Sequence, residues 1–241
     1  MRCTSGCAPR APASCRFPPG HWDGFARTRP DAEEAGKLRA VQYTDAEGAV
    51  RGVALYTLSE NHDDFTKWTV EVAALMAETD DASAALWRFL LQLDLVAEVR
   101  AGELAVDEAL LWMIADQRAA TVTVTDHHYV RILDVPAALT ARRYARPGVF
   151  ALDVHDPLGI GGGRFLLRID AEGAASVDPL TGDAPTDAVG VSLGTAELSA
   201  LYLGGVSAIA LAAAGRLRSD DVEATASAFS WHRAPRLSYW Y

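Results

Sequence analysis

Cysteine is nearly absent from this chain. Three occur in 241 residues, Cys3, Cys7 and Cys15, all among the first 15. No disulfide framework can therefore staple the body of the protein. With His21 they do not make a zinc pattern either, because no Cys-x-x-Cys knuckle is present. GxSxG, P-loop and HExxH motifs are missing too, which removes the usual signatures of a serine hydrolase, a nucleotidase and a zinc protease. No apolar run reaches the ~20 residues that a membrane-spanning helix needs. The N-terminus carries arginines but no apolar core of a secretory signal, so a cytoplasmic location is expected.

Basic residues are also in the minority. Lys and Arg number 22 against 32 Asp and Glu, for a net charge of −10 and a pI near 5.0. That balance opposes nucleic acid and anionic membrane surfaces as partners. It suits a cationic small molecule, and it also serves solubility in general. Hydrophobic residues make up half of the chain, so one or two domains can each bury a core.

Met1 to Pro19 has no periodicity and reads as a disordered leader, with order expected from about residue 21. Leu38 to Thr44 and Val50 to Leu58 read as a hairpin turned at Asp45–Gly48, and Lys67 to Val72 as a third strand. Asp80 or Asp81 is placed to cap a helix over 82–93, with Leu86, Phe89, Leu90 and Leu93 at helical spacing. A strand over 96–101 and a short helix over 107–114 follow. The alternating runs 120–125 and 129–133 predict a second hairpin, turned at Asp126-His127. His127-His128 lacks a spaced third ligand and reads as a solvated turn.

From Asp134 the pattern changes. Asp134 caps a helix over 135–144 with Pro136 in its first turn. Strands are expected over 149–154, 163–169, 174–177 and 188–193, the first two joined by the Gly-rich loop 158–163. Thr195 is placed to cap a helix that Gly204-Gly205 breaks. A second helix, 206–214, stops at Gly215, and Asp220 or Asp221 caps a third. The fold class is α+β: a mixed-sheet domain over 21–133, then a domain over 134–241 with an antiparallel sheet and helices on one face.

Several blocks in order carry a family resemblance: VRGVALYTL at 50–58, ALWRFLLQLDLVAEVRA at 85–101, the join RILDVPAALTARRY at 131–144, DVHDPL at 153–158, and LSALYLGG…ALAAAGRL…F.W.RAP with an aromatic terminus. Together they resemble the enhanced intracellular survival family of GNAT N-acetyltransferases, from about Trp22 to Tyr241. The resemblance implies that 21–133 is the second, degenerate and partial acetyltransferase-fold domain, and that 134–241 is a sterol-carrier-like domain. It implies acetyl-CoA as the acyl donor of the complete enzyme, a small-molecule amine such as an aminoglycoside-like polycation as acceptor, and a homo-oligomer, a hexamer in the family.

The family's first domain supplies an Arg/Gln-x-x-Gly-x-Gly/Ala loop whose amides hold the coenzyme pyrophosphate at a helix N-terminus. In this sequence only Asp156 to Gly161 has that glycine spacing. It starts with a carboxylate and precedes a strand, so it reads as a hairpin loop. No acetyl-CoA binding by this chain alone is expected, and it is expected to be inactive alone.

The resemblance also assigns a role to the last residue. The α-carboxylate of Tyr241 would be the base toward the amine, with Trp240 and Trp231 against the substrate. A free α-carboxyl is a weak base unless desolvated, yet it can hold a cation. A frayed terminus is the other reading of the same residues. A stand-alone sterol-carrier-like module is the alternative function. Leu198, Leu201, Tyr202, Ile209 and Leu211 would then line a tunnel for an apolar ligand, unless they simply pack.

Overall fold

The computed structural model describes residues 20, 23, 24, 27, 35–126 and 129–236. Contacts divide the chain into two compact units that meet at Thr123 and Val124.

The first unit holds strands β1 (Arg39–Thr44), β2 (Val50–Ser59), β3 (Trp68–Ala77) and β4 (Val96–Ala101), in the order β1-β2-β3-β4. Helix α1 (Asp80–Leu91) connects β3 to β4. β1, β2 and β3 pair antiparallel, whereas β4 runs parallel to β3, so the sheet is mixed. The parallel pair needs a crossover, and α1 supplies it. α1 buries Leu86, Trp87 and Leu90 against Ala54, Tyr56, Val70 and Val72 of the sheet.

β3 is longer than the sequence pattern suggested, for a physical reason. Val72 pairs with Tyr56 and Ala74 with Leu55, which leaves Ala73 as a bulge. One extra residue flips the alternation, so the inward face continues at Leu75 and not at Ala74. The helix cap also differs from expectation. Thr79 has extended backbone and its Oγ1 accepts from the Ala82 N–H at 3.2 Å. Asp80 and Asp81 lie inside the first turn, where they complement the helix dipole. Helix α2 (Leu110–Met113) keeps only one turn of the expected 107–114.

The second expected hairpin is not present. Among the described residues, 120–126 and 129–133 form no strand. The second half belongs to the second unit instead. The Ile132 N–H donates to Ser199 Oγ at 3.0 Å, the Ile132 side chain is buried in that unit's core, and Arg131 pairs with Asp156 at 2.6 Å. The Ile132 N–H, given to Ser199, is not free for a ladder bond with 120–125.

The second unit contains helix α3 (Val135–Ala141), strands β5 (Gly148–His155), β6 (Gly163–Ile169), β7 (Ala175–Pro179) and β8 (Val189–Gly194), and helices α4 (Thr195–Tyr202) and α5 (Ala208–Ala213). Strand β9 (Leu217–Ser219) and helix α6 (Val222–Phe229) complete it. The sheet order is β7-β6-β5-β8-β9. The ladders are antiparallel with one exception: β5 and β8, at the centre, run parallel. After two hairpins, residues 180–188 carry the chain from edge strand β7 back to β8 beside β5, with β7 and β8 both parallel to β5. A purely antiparallel reading could not see that crossover. β9 is a three-residue edge strand, too short to leave an alternation in the sequence.

One core unites this unit. Phe150, Leu152 and Val154 of β5 and Val191 and Leu193 of β8 pack with Val135 and Leu139 of α3, Leu198 and Leu201 of α4, and Ala228 and Phe229 of α6. The helix caps are chemical. Asp134 Oδ1 accepts from the Ala137 N–H at 2.9 Å, and Asp221 Oδ1 from the Ala224 N–H at 2.8 Å. Thr195 is not a cap: Gly194 holds that position, and the Thr195 hydroxyl donates to the His155 carbonyl, pinning α4 to the end of β5.

Candidate functional site

Three sequence-predicted site residues lie in the last eleven residues. Tyr241 and Trp240 lie outside the described residues. Trp231 lies within them, directly after the last helix, and its place is set by a double glycine. Gly204 has φ +79°, a conformation that side chains with a Cβ rarely adopt. A Cβ there would sit 2.6 Å from Trp231 Cβ, and one on Gly205 would sit 2.6 Å from Pro235 Cδ. The segment 231–236 therefore lies directly on the turn between α4 and α5. Trp231 lies against His232, with ring centroids 4.7 Å apart and the planes tilted by 41°. Its indole Nε1–H is buried, with no acceptor. A buried donor without an acceptor costs on the order of 1–3 kcal/mol, so natural folds leave few of them.

Beneath this seat lies Arg142. Its Nη1 donates to the carbonyls of Leu201 (3.2 Å) and Tyr202 (2.8 Å) at the end of α4. Its Nη2 donates to the Phe229 carbonyl (3.0 Å) at the end of α6. The guanidinium lies over the rings of Tyr144 (4.6 Å) and Phe229 (5.3 Å). Burial lowers the pKa of Arg142 from its ordinary value and raises that of the Tyr144 phenol, whose hydroxyl donates to the Leu139 carbonyl. A cation that follows a helix ordinarily complements the dipole of that helix. Arg142 does follow α3, but its donors serve the C-termini of two other helices. Those partners lie 59 to 87 residues further on, and no local pattern could reveal them.

Among the described residues, two places could in principle cradle a pyrophosphate, and neither fits. The first is the strand–helix join of the β3-α1-β4 crossover, where the chain presents Glu78, Thr79, Asp80 and Asp81. One amide is already capped by Thr79, and the two aspartates put negative charge where a phosphate would sit. The second is the loop 156–162 between β5 and β6. Its amides turn inward: Leu158 (3.0 Å), Ile160 (3.0 Å) and Gly161 (2.8 Å) all donate to the Asp156 carboxylate. These bonds, led by Gly161 and joined by Arg131, hold the Asp156 pKa down at about 2. The loop already contains its own anion. Of the longer helices, α4 and α6 also carry a carboxylate in the first turn, Glu197 and Glu223. Glu197 is buried and paired with Arg216.

The other candidates resolve as follows. Among the described residues no cluster of three metal-ligating side chains exists, and His127-His128 and the cysteines lie outside the described residues. Leu198 and Leu201 are buried in the core of the second unit, with Tyr202 and Leu211 packed against it, whereas Ile209 is exposed. No helix among the described residues is long and apolar enough to cross a membrane.

Comparison with known proteins agrees with this two-part layout. Residues 16–132 match the model of the acetyltransferase (GNAT) domain, and residues 135–238 match the sterol carrier protein domain. The chain is 41% identical over 182 residues to an uncharacterized N-acetyltransferase of Streptomyces avermitilis, covering 74% of this chain and 42% of that protein. It is 40% identical over 155 residues to the N-acetyltransferase Eis of Mycobacterium tuberculosis, covering 62% of this chain and 35% of the relative. The crystal structure of Eis1 from Mycobacterium abscessus superposes with a TM-score of 0.68 at 26% identity, over 90% of this chain and 52% of that one. The chain thus spans about half the length, or less, of the curated relatives it matches.

Proposed function

The chain belongs to the Eis-like family of GNAT acetyltransferases, and from that premise we propose that it forms the amine-side part of an acetyl-CoA-dependent N-acetyltransferase. Residues 21–133 would be a degenerate acetyltransferase-fold domain and 134–241 a sterol-carrier-like domain. The acceptor would be a cationic small-molecule amine of the aminoglycoside or polyamine type, taken up in the cytoplasm by a homo-oligomer. In this reading the Tyr241 α-carboxylate draws one proton from the bound ammonium and leaves a neutral amine able to attack an acyl carbon. Trp231 and Trp240 wall the amine, with aromatic faces suited to a cation.

One observation carries the proposal. The seat at Gly204-Gly205 holds 231–236 in a fixed place and leaves the Trp231 indole N–H buried without an acceptor. If 231–236 were merely loose, it would not require two glycines beneath it. The Thr79-capped, carboxylate-bearing start of α1 and the filled loop at Asp156 support the second half of the reading: this chain alone holds no acetyl-CoA and transfers no acetyl group.

The test is a titration of the 241-residue chain with spermine and with an aminoglycoside, repeated after deletion of Tyr241. The reading expects binding that weakens at least about tenfold on deletion, since a desolvated charge pair is lost. Equal affinity for the two chains would refute the role of the terminal carboxylate.

A further inference from the structure

The last carbonyls of two helices that are distant in sequence converge on one guanidinium. α4 offers the carbonyls of Leu201 and Tyr202, and α6 offers that of Phe229, all to Arg142. Orphan carbonyls at a helix C-terminus normally go to water or to a glycine-based cap. Here a single planar fork bonds carbonyls at both ends, alongside the Gly204 N–H that also donates to the Leu201 carbonyl, and the two rings of Tyr144 and Phe229 shield it. Both chain segments that leave these helix ends matter. From α4 comes Gly204-Gly205, and from α6 comes Trp231 to Arg236. They are the two that press on each other, with no room for a methyl group on either glycine.

We propose that Arg142 and the Gly204-Gly205 turn form a clamp that positions the C-terminal segment 231–236 and so sets where the chain leaves the domain. Arg142 is a positioning residue: it touches the segment's root at Phe229 and touches no substrate. The functional weight of the clamp rests on the reading of the terminus given above, but its existence does not. A lysine would keep the charge and lose the clamp, because one ammonium on a flexible stem cannot reproduce a fork that spans two helix ends.

The test uses the full 241-residue chain with 15N-labelled tryptophan. Six indole N–H signals are expected, one per tryptophan, and Trp231→Phe identifies the relevant one. In the wild type the Trp231 signal should exchange slowly with water, as a buried N–H does. In Arg142→Lys and in Gly205→Ala it should move toward the solvent-exposed position and exchange at least about tenfold faster. The Trp68 and Trp87 signals, from the other unit, should stay in place. Gly205→Ala leaves every Arg142 bond intact, so it answers the question even if the arginine variants fail to fold. An unchanged Trp231 signal in folded Gly205→Ala and Arg142→Lys chains would overturn the clamp. Neither coenzyme nor amine enters the measurement. A clamp that passes while spermine binding ignores Tyr241 would therefore condemn the proposed function and leave the clamp standing.

Discussion

The two units treat their buried polar groups in opposite ways. Among the described residues, the second unit's buried polar residues Thr195, Glu197, Ser199 and Thr225 are all bonded. Thr195 donates to His155, Ser199 donates to the Thr195 carbonyl and accepts from Ile132, Thr225 donates to Asp221, and Glu197 pairs with Arg216. The first unit instead buries the indole N–H groups of Trp68 and Trp87 with no acceptor. Among the described residues of the second unit, one buried side-chain donor lacks an acceptor, the Trp231 indole N–H at the seat of the C-terminal segment. An unsatisfied donor carries little information where others surround it. Among the described residues of the second unit, whose other buried polar side chains are bonded, it singles out the seat of 231–236.

The contrast can be broken most forcefully at the core. Phe229→Ala should remove about 3–5 kcal/mol from the second unit, since a fully buried ring leaves a cavity beside Tyr144 and Phe150. Urea denaturation followed by the indole signals should show Trp231 released early while Trp87 stays native. Next in size is a paired comparison. Ser199→Ala strips the Ile132 N–H of its acceptor and should cost about 1–3 kcal/mol, whereas Trp87→Phe removes a donor that had no partner and should cost less than the loss of its ring area alone suggests. Equal costs in the two denaturation curves would erase the distinction drawn between the units.

A smaller effect is expected from Asp134→Ala, about 1 kcal/mol, because the Ala137 N–H loses its cap. The last concerns pH. The Asp156 carboxyl titrates near 2 in the fold against an ordinary 3.8. Its contribution is therefore complete above about pH 4 and disappears as pH falls from there to 2. In thermal melts, Asp156→Asn should be less stable than the wild type at neutral pH, and the gap should close over that interval. A gap independent of pH would place the loop's stability elsewhere.

The sequence made much of the fold legible because most elements carry their own signals. Alternation located β2, β5 and β6 nearly residue for residue, and Asp134 and Asp221 announced their helices. What it could not show depends on distance. The bulge at Ala73 hid half of β3, and the parallel β5–β8 pair follows from a crossover that leaves no local trace. The run TVTVT at 121–125 has the composition of a strand, but its expected partner is bonded to Ser199 and Asp156. For the candidate site, the resemblance singled out Trp231 and the spacing singled out Gly204-Gly205 as a helix break. That the glycines seat the tryptophan, and that Arg142 ties both helix ends, required three dimensions.

The central claim is that this chain presents an amine-side surface and no coenzyme site. Calorimetric titration of acetyl-CoA into the 241-residue chain addresses it most directly. The account predicts no saturable heat, because the start of α1 is acidic and the glycine loop is closed on Asp156. Saturable binding with a micromolar Kd would contradict it.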